Sequence, residues 1–226
     1  LNKRFHYSGG VEQQDVYNYV MDSETGRKIY THGQKIDTRM DALGRQIEIC
    51  TASFGMKAAL GSSEAEMADF KSPVYESLLE TFEVKKNLSF DHTNKYPDEI
   101  EIRQYALTDE TQNRLSDFID AAGRPKISRD LSGKVTTVDG FTEKGGQWID
   151  HAAFTHDGTP TQTRTHNFVL NADGFRLWTN GTMVVKEMNE DRLVNTYTYK
   201  MDYLLRDGED GKEYSDYDVK GLMLDT

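Results

Sequence analysis

Arg164, His166 and Phe168 in one segment, and Asn195, Tyr197 and Tyr199 in another, are the residues whose types and spacing best suit chemistry. His166 is a side chain that ordinarily titrates near neutral pH, so it is the acid–base candidate if the protein is catalytic. Arg164 supplies a fixed positive charge that can orient a polar head group. Phe168, Tyr197 and Tyr199 supply aromatic contact area at small conformational cost, and a buried tyrosine hydroxyl needs a partner. Spacing by two places each triplet on one face of a strand. The chemistry implied is the binding of a small apolar or aromatic molecule, with Arg164 and His166 at the polar end. The same arrangement also describes an ordinary core with polar strand ends.

Other reactive constellations are weaker. No Gly-x-Ser-x-Gly elbow, P-loop or dinucleotide glycine fingerprint occurs. The histidines nearest one another in sequence are His151, His156 and His166; His151 and His156 flank a strand end. A metal site needs three or four converging ligands, so no metal site and no cofactor are expected. Glu99 and Glu101 share a strand face with Arg103, which reads as a solvated charged face rather than a carboxylate pair for work on sugars. Cys50 is the single cysteine, which excludes an internal disulfide and cysteine-based zinc sites.

Composition narrows the partners. The formal net charge is −11 over 226 residues. That argues against nucleic acid and against an anionic membrane surface, both of which favour clustered Lys and Arg. No apolar run approaches the ~18 residues of a spanning helix. No signal peptide is visible: Leu1-Asn2-Lys3-Arg4 leads into no apolar stretch. A soluble protein is expected, its compartment left open, and an oligomer is compatible with the sequence.

The elements that position the six residues are strands. From Leu193 to Leu205 the residues alternate, with Leu193, Asn195, Tyr197, Tyr199, Met201, Tyr203 and Leu205 on one face. Gln162–Asn171 and Phe175–Lys186 read as strands joined by the turn Asn171-Ala172-Asp173-Gly174. Glu190-Asp191 makes the next turn, and Lys134–Val138 and Trp148–Thr155 are shorter strands. In the first half, Val16–Asp22, Arg27–Ile36 and Gln46–Phe54 read likewise, and Phe82–Phe90 and Glu99–Leu107 are further candidates. Two helices are expected between them, over Ser62–Glu80 and Thr108–Ala122. The first opens on a Ser63/Glu66 capping box and is interrupted at Pro73. The second is capped by Thr108 and stopped by Gly123 and Pro125.

The fold expected is mainly β with one or two inserted helices, a single β-rich domain over 1–226 forming an antiparallel barrel or sandwich. An internal duplication is expected as well, relating 1–58 to 128–206 around a helical insertion at 59–124. It aligns Tyr17–Ile36 with His166–Val184: Asn18 with Asn167, Tyr19 with Phe168, Gly26 with Gly174, Tyr30 with Trp178, Thr31 with Thr179 and Gly33 with Gly181.

Gly146-Gln147-Trp148, succeeded by strands and tight turns, resembles the Gly-x-Trp motif that opens the first strand of lipocalins and their calycin relatives. The resemblance covers these three residues and the general meander. It implies an antiparallel barrel that binds a small apolar molecule in its pocket, or a barrel enzyme (an isomerase, cyclase or lyase) that turns one over. A structural or assembly protein with no pocket, such as a viral or cell-surface component, fits the composition equally.

Overall fold

Turns of one construction punctuate the chain and explain why it meanders. In Asp41–Arg45, Asp120–Arg124 and Asn171–Phe175, the first side chain accepts the backbone N–H groups of the third and fifth residues at 2.8–3.0 Å. The fourth residue is a glycine at φ 78°, 78° and 82°. Asx side chains that mimic a turn, with a residue in the left-handed region after them, return a strand antiparallel to itself. In the two Asp–Arg turns the arginine Nε also donates to the aspartate, at 2.7 and 2.8 Å.

The computed structural model describes residues 1–91, 93, 96–109, 113–131, 135–189 and 192–202. Its strands are β1 (Asn2–Phe5), β2 (Val11–Met21), β3 (Lys28–Met40), β4 (Gln46–Ala58), β5 (Tyr75–Phe90), β6 (Pro97–Leu107), β7 (Ile127–Arg129), β8 (Val135–Val138), β9 (Phe141–Phe154), β10 (Pro160–Leu170), β11 (Arg176–Asn189) and β12 (Arg192–Asp202). Ten of them form one sheet in the order β1-β2-β3-β4-β5-β6-β9-β10-β11-β12, and β7 pairs with β8. The order begins at β1 and ends at β12, so among the described residues the strands form one large antiparallel sheet that is not closed, and a sandwich-like β fold fits it. Among the described residues no helix is long and apolar enough to cross a membrane. Tyr203, Leu205 and the Glu190-Asp191 turn lie outside the described residues, as does Lys134 at the start of the expected strand.

The chain divides into two compact units. Unit 1 comprises Leu1–Val84 and Gln104–Thr142; unit 2 comprises Lys85–Arg103 and the residues from Glu143 onward. The core of unit 1 gathers Ala52, Phe54, Leu79, Phe82, Val84, Tyr105, Leu115, Val135 and Val138. Leu115 and Val138 come from the segment between β6 and β9, which buries them against strand residues.

The two expected helices are replaced by other structure. The Ser63/Glu66 capping box forms: the Ser63 N–H donates to Glu66 Oε2 at 2.8 Å, and the Glu66 N–H to Ser63 Oγ at 3.4 Å. It caps a single turn, α1 (Glu64–Met67), and from Tyr75 the chain is strand. Proline at position 73 cannot continue a helix, and the alternation beyond it fits a sheet face. In Thr108–Ala122 the described part holds only a 3-10 turn, Leu115–Asp117. Gly123, expected as a helix stop, is the positive-φ residue of the Asp120–Arg124 hairpin turn.

The two aligned hairpins share their irregularities. In β2–β3 the register runs Asn18↔His32 and then Tyr19↔Tyr30, leaving Thr31 extra. In β10–β11 it runs Asn167↔Asn180 and then Phe168↔Trp178, leaving Thr179 extra. The bulged residue is therefore the same in the alignment. Tyr19 and Tyr30 meet edge to face at 5.8 Å, and Phe168 and Trp178 at 5.4 Å. A cation from the aligned position covers the first ring of each pair: Lys28 Nζ at 4.3 Å from the Tyr19 centroid and Arg176 Cζ at 4.5 Å from that of Phe168. Gly33 lies opposite buried Phe54 on β4, and Gly181 opposite buried Met201 on β12.

Candidate functional site

Register carries the expected residues of unit 2 onto one sheet face. Across β9, β10, β11 and β12, Trp148 pairs with His166, His166 with Gly181 and Gly181 with Met201. One step along, Asp150 pairs with Arg164, Arg164 with Met183 and Met183 with Tyr199. The next row brings Gln162, Val185 and Tyr197 together. Directly paired residues point to the same side of a sheet, so His166, Arg164, Tyr199 and Tyr197 share a face. Beyond Asn195 the register slips by one, so that Leu193 pairs with Met188 and leaves the face on which alternation placed it.

One end of this face is packed. His166 is 4% exposed and Phe168 2%. His166 Nε2 lies 3.2 Å from Asp150 Oδ1, and Arg164 reaches the other carboxylate oxygen at 3.6 Å. The His166 ring meets Trp178 edge to face at 6.0 Å, and Trp178 meets Phe168. Arg176 covers Phe168 and bonds to Glu101, which also accepts from Arg103 at 3.0 Å. Glu101 is 5% exposed, so the expected solvated carboxylate is instead a buried ion-pair centre. Burial alone would raise its pKa; the two guanidinium groups outweigh that and hold the carboxyl below its ordinary range.

Gly146 makes this packing possible. A Cβ there would collide with the Ile102 carbonyl oxygen and fall 2.9 Å from the Phe168 ring. The Gly-x-Trp triplet thus has a local physical role: the glycine admits β6 backbone and Phe168, and Trp148 lies across from His166.

The other end is open. Tyr199 is half-buried, while Tyr197 is 44% exposed and Asn195 is exposed. Both polar groups turn to Glu187: Asn195 Nδ2 donates at 2.8 Å and the Tyr197 hydroxyl at 3.2 Å. The hydrogen bond to that carboxylate raises the Tyr197 pKa. The expected residues therefore fall into two groups, His166–Phe168–Arg164 and Asn195–Tyr197. The row Arg164–Met183–Tyr199 connects them. Along β12 the step from Tyr197 to Met201 is four residues, ~13 Å.

Sequence reasoning does not place Asp150, Trp148, Trp178, Met183 or Glu187 beside these residues, although it names Trp148 in the Gly-x-Trp triplet and Trp178 in the aligned hairpins. The signal for Trp148 and Asp150 is their spacing by two, but only the β9–β10 register sets them opposite His166 and Arg164. His151 lies apart from this group, its Nδ1 2.8 Å from Thr163 Oγ1 and its pKa lowered by burial. Among the described residues no three metal-ligating side chains converge.

No family model and no curated protein matches the chain. A structural comparison finds the crystal structure of a protein of unknown function from Bacteroides fragilis NCTC 9343. It is 14% identical, covers 84% of this chain and 83% of that one, and superposes with a TM-score of 0.35.

Proposed function

We propose that this protein is a binding module. Its ligand is a small molecule with an apolar or aromatic body and a polar head, held on the β10–β12 face of unit 2. The observation that carries the reading is the shared face. Half-buried Tyr199 and exposed Tyr197 flank Met183 and Val185, beside an Arg164 held by Asp150. Aromatic and thioether surface left partly open beside an oriented guanidinium suits such a ligand. Native mass spectrometry of protein purified from its own host tests it, by a retained small molecule that Tyr199→Ala loses.

A catalytic reading has one specific support, the buried His166–Asp150 pair. A carboxylate that orients an imidazole is the usual preparation of a general base. On that reading His166→Gln abolishes turnover of a ligand that still binds.

We also infer that the β2–β3 and β10–β11 hairpins are copies of one ancestral unit. The shared bulge, edge-to-face pair, covering cation and glycine support it. Two unrelated hairpins have no physical reason to agree in all four. An experimental structure in which the hairpins fail to superpose with Tyr30 on Trp178 would remove the inference.

A further inference from the structure

We propose that the outer edge of β2 in unit 1 is an exchangeable strand-binding site, whose occupant in concentrated protein is the β1 strand of a second copy of this chain. β1 stands at one end of the sheet order and is paired with β2. All four of its residues are exposed, Phe5 at 58%. The strand therefore buries no apolar side chain against the sheet, which is the usual source of a strand's hold. Its ladder is also broken. The pairs are Asn2↔Gln14, Arg4↔Gln13 and Phe5↔Val11, with a register shift on each side of Arg4. The β2–β3 ladder, by contrast, runs from Gln13↔Asp37 to Met21↔Lys28 with a single shift.

Charge holds β1 instead. Arg4 reaches Glu12 at 2.7 Å and Asp37 at 3.3 Å, and Lys3 reaches Asp15 at 2.5 Å. Glu12 and Asp15 lie on β2 and Asp37 on β3, so this edge suits an extended segment carrying adjacent Lys and Arg. The Lys3 and Arg4 side chains are 38% and 43% exposed. Ion pairs of that exposure are modest in strength and are screened by salt.

Departure of β1 strands no buried acid. Asp15 keeps Lys35 Nζ at 3.1 Å, and Asp37 keeps the nearby charges of Arg124 and Arg129. Gln13 still donates to the Ala122 carbonyl at 2.9 Å. β2 thus stays in place while the N–H and C=O groups of its outer edge come free, and a free edge is a template for another strand. A second copy brings the same Lys3 and Arg4 and the same three acids. Reciprocal exchange therefore restores every ion pair in both copies and closes a two-fold dimer.

The test mixes two singly substituted full-length chains, Asn2→Cys and Gln14→Cys, in a thiol–disulfide buffer. Asn2 and Gln14 face each other across β1–β2, at the separation a disulfide spans. The native Cys50 is buried. A disulfide joining the two chains reports β1 of one copy lying on β2 of another. The control pairs the Asn2→Cys chain with a Ser23→Cys chain, whose cysteine sits at an exposed turn position. The mixed Asn2→Cys/Gln14→Cys dimer is expected to exceed the control by roughly tenfold, the gain of holding two thiols together over letting them meet by diffusion. Relative to the control, it should also form faster as salt rises from ~0.01 to ~1 M, which shortens the Debye length from ~30 to ~3 Å. Arg4→Gln in both chains is expected to raise the low-salt rate and flatten its salt dependence. A mixed dimer no more abundant than the control overturns the proposal, and so does a rate that neither salt nor Arg4→Gln changes.

Discussion

His166 and Asp150 lie on neighbouring strands with Nε2 3.2 Å from Oδ1, and the histidine is 4% exposed. Asp150 therefore has two partners, one buried and one, Arg164, with 43% of its side chain exposed. The two should differ in worth. We predict that His166→Ala costs ~1–3 kcal/mol in chemical denaturation, the penalty for stripping a partner from a partly buried polar group. Arg164→Ala should cost no more than ~1 kcal/mol, as exposed ion pairs do.

Alternation makes Phe168 and Tyr197 equal members of one aromatic set, and the structure separates them. Phe168 is enclosed by Trp178, Arg176 and Gly146. Its truncation to Ala should cost ~3–5 kcal/mol. Tyr197→Ala removes an exposed ring and should change stability by ~0.5 kcal/mol or less. Urea midpoints of the two variants at a common slope decide this.

Gly146→Ala tests the close approach of strands in unit 2. Its Cβ would collide with the Ile102 carbonyl, which belongs to backbone and cannot rotate away. We predict a loss of roughly 1–3 kcal/mol or more, the cost of overpacking. Loss of the Trp178 near-ultraviolet circular dichroism should accompany it.

Glu101 gives a prediction in pH. Its pKa in the fold lies below the ordinary 4.5 because Arg103 and Arg176 overcome its burial. A carboxyl depressed on folding contributes stability above its ordinary pKa and loses it as pH falls through the lower one. The acid limb of wild-type stability should therefore be steeper than that of Glu101→Gln. The variant should be less stable at neutral pH, with the gap narrowing on acidification. Melting temperatures from neutral pH down to the acid transition check both.

Strand existence was legible in the sequence wherever alternation and Asx–Gly turns coincided, as in Gln162–Asn171 with its turn at Asn171. The one-residue offset between the aligned hairpins was legible too, because glycine at 26 and 174 marks the left-handed position. Helices were misread for a physical reason. Leu115, Phe118 and Ile119 fit helical spacing, but a single 3-10 turn satisfies that spacing, and the Asp120–Arg124 turn needs the same glycine that a helix stop would. Repetition of Asp-x-x-Gly-Arg at 41–45 and 120–124 was the overlooked signal. Alternation alone set Arg164 with His166, and Tyr197 with Tyr199, on one face of each strand; the β10–β11 and β11–β12 registers join the two faces. The burial of Glu101 was not legible, because it depends on Arg176, 75 residues away.

Binding of an apolar or aromatic body with a polar head on the β10–β12 face of unit 2 is the central claim. Trp148 and Trp178, the two tryptophans of the chain, both lie on this face. The most direct measurement is a titration with 1-anilinonaphthalene-8-sulfonate, an aromatic body with an anionic head, read out by quenching of tryptophan emission. Saturable 1:1 quenching is the predicted result. Tyr199→Ala should weaken it at least tenfold, the loss of one good aromatic contact at ~1.5 kcal/mol, while leaving the fold intact by circular dichroism. Absence of saturable quenching, or an affinity unchanged by Tyr199→Ala, would contradict the claim.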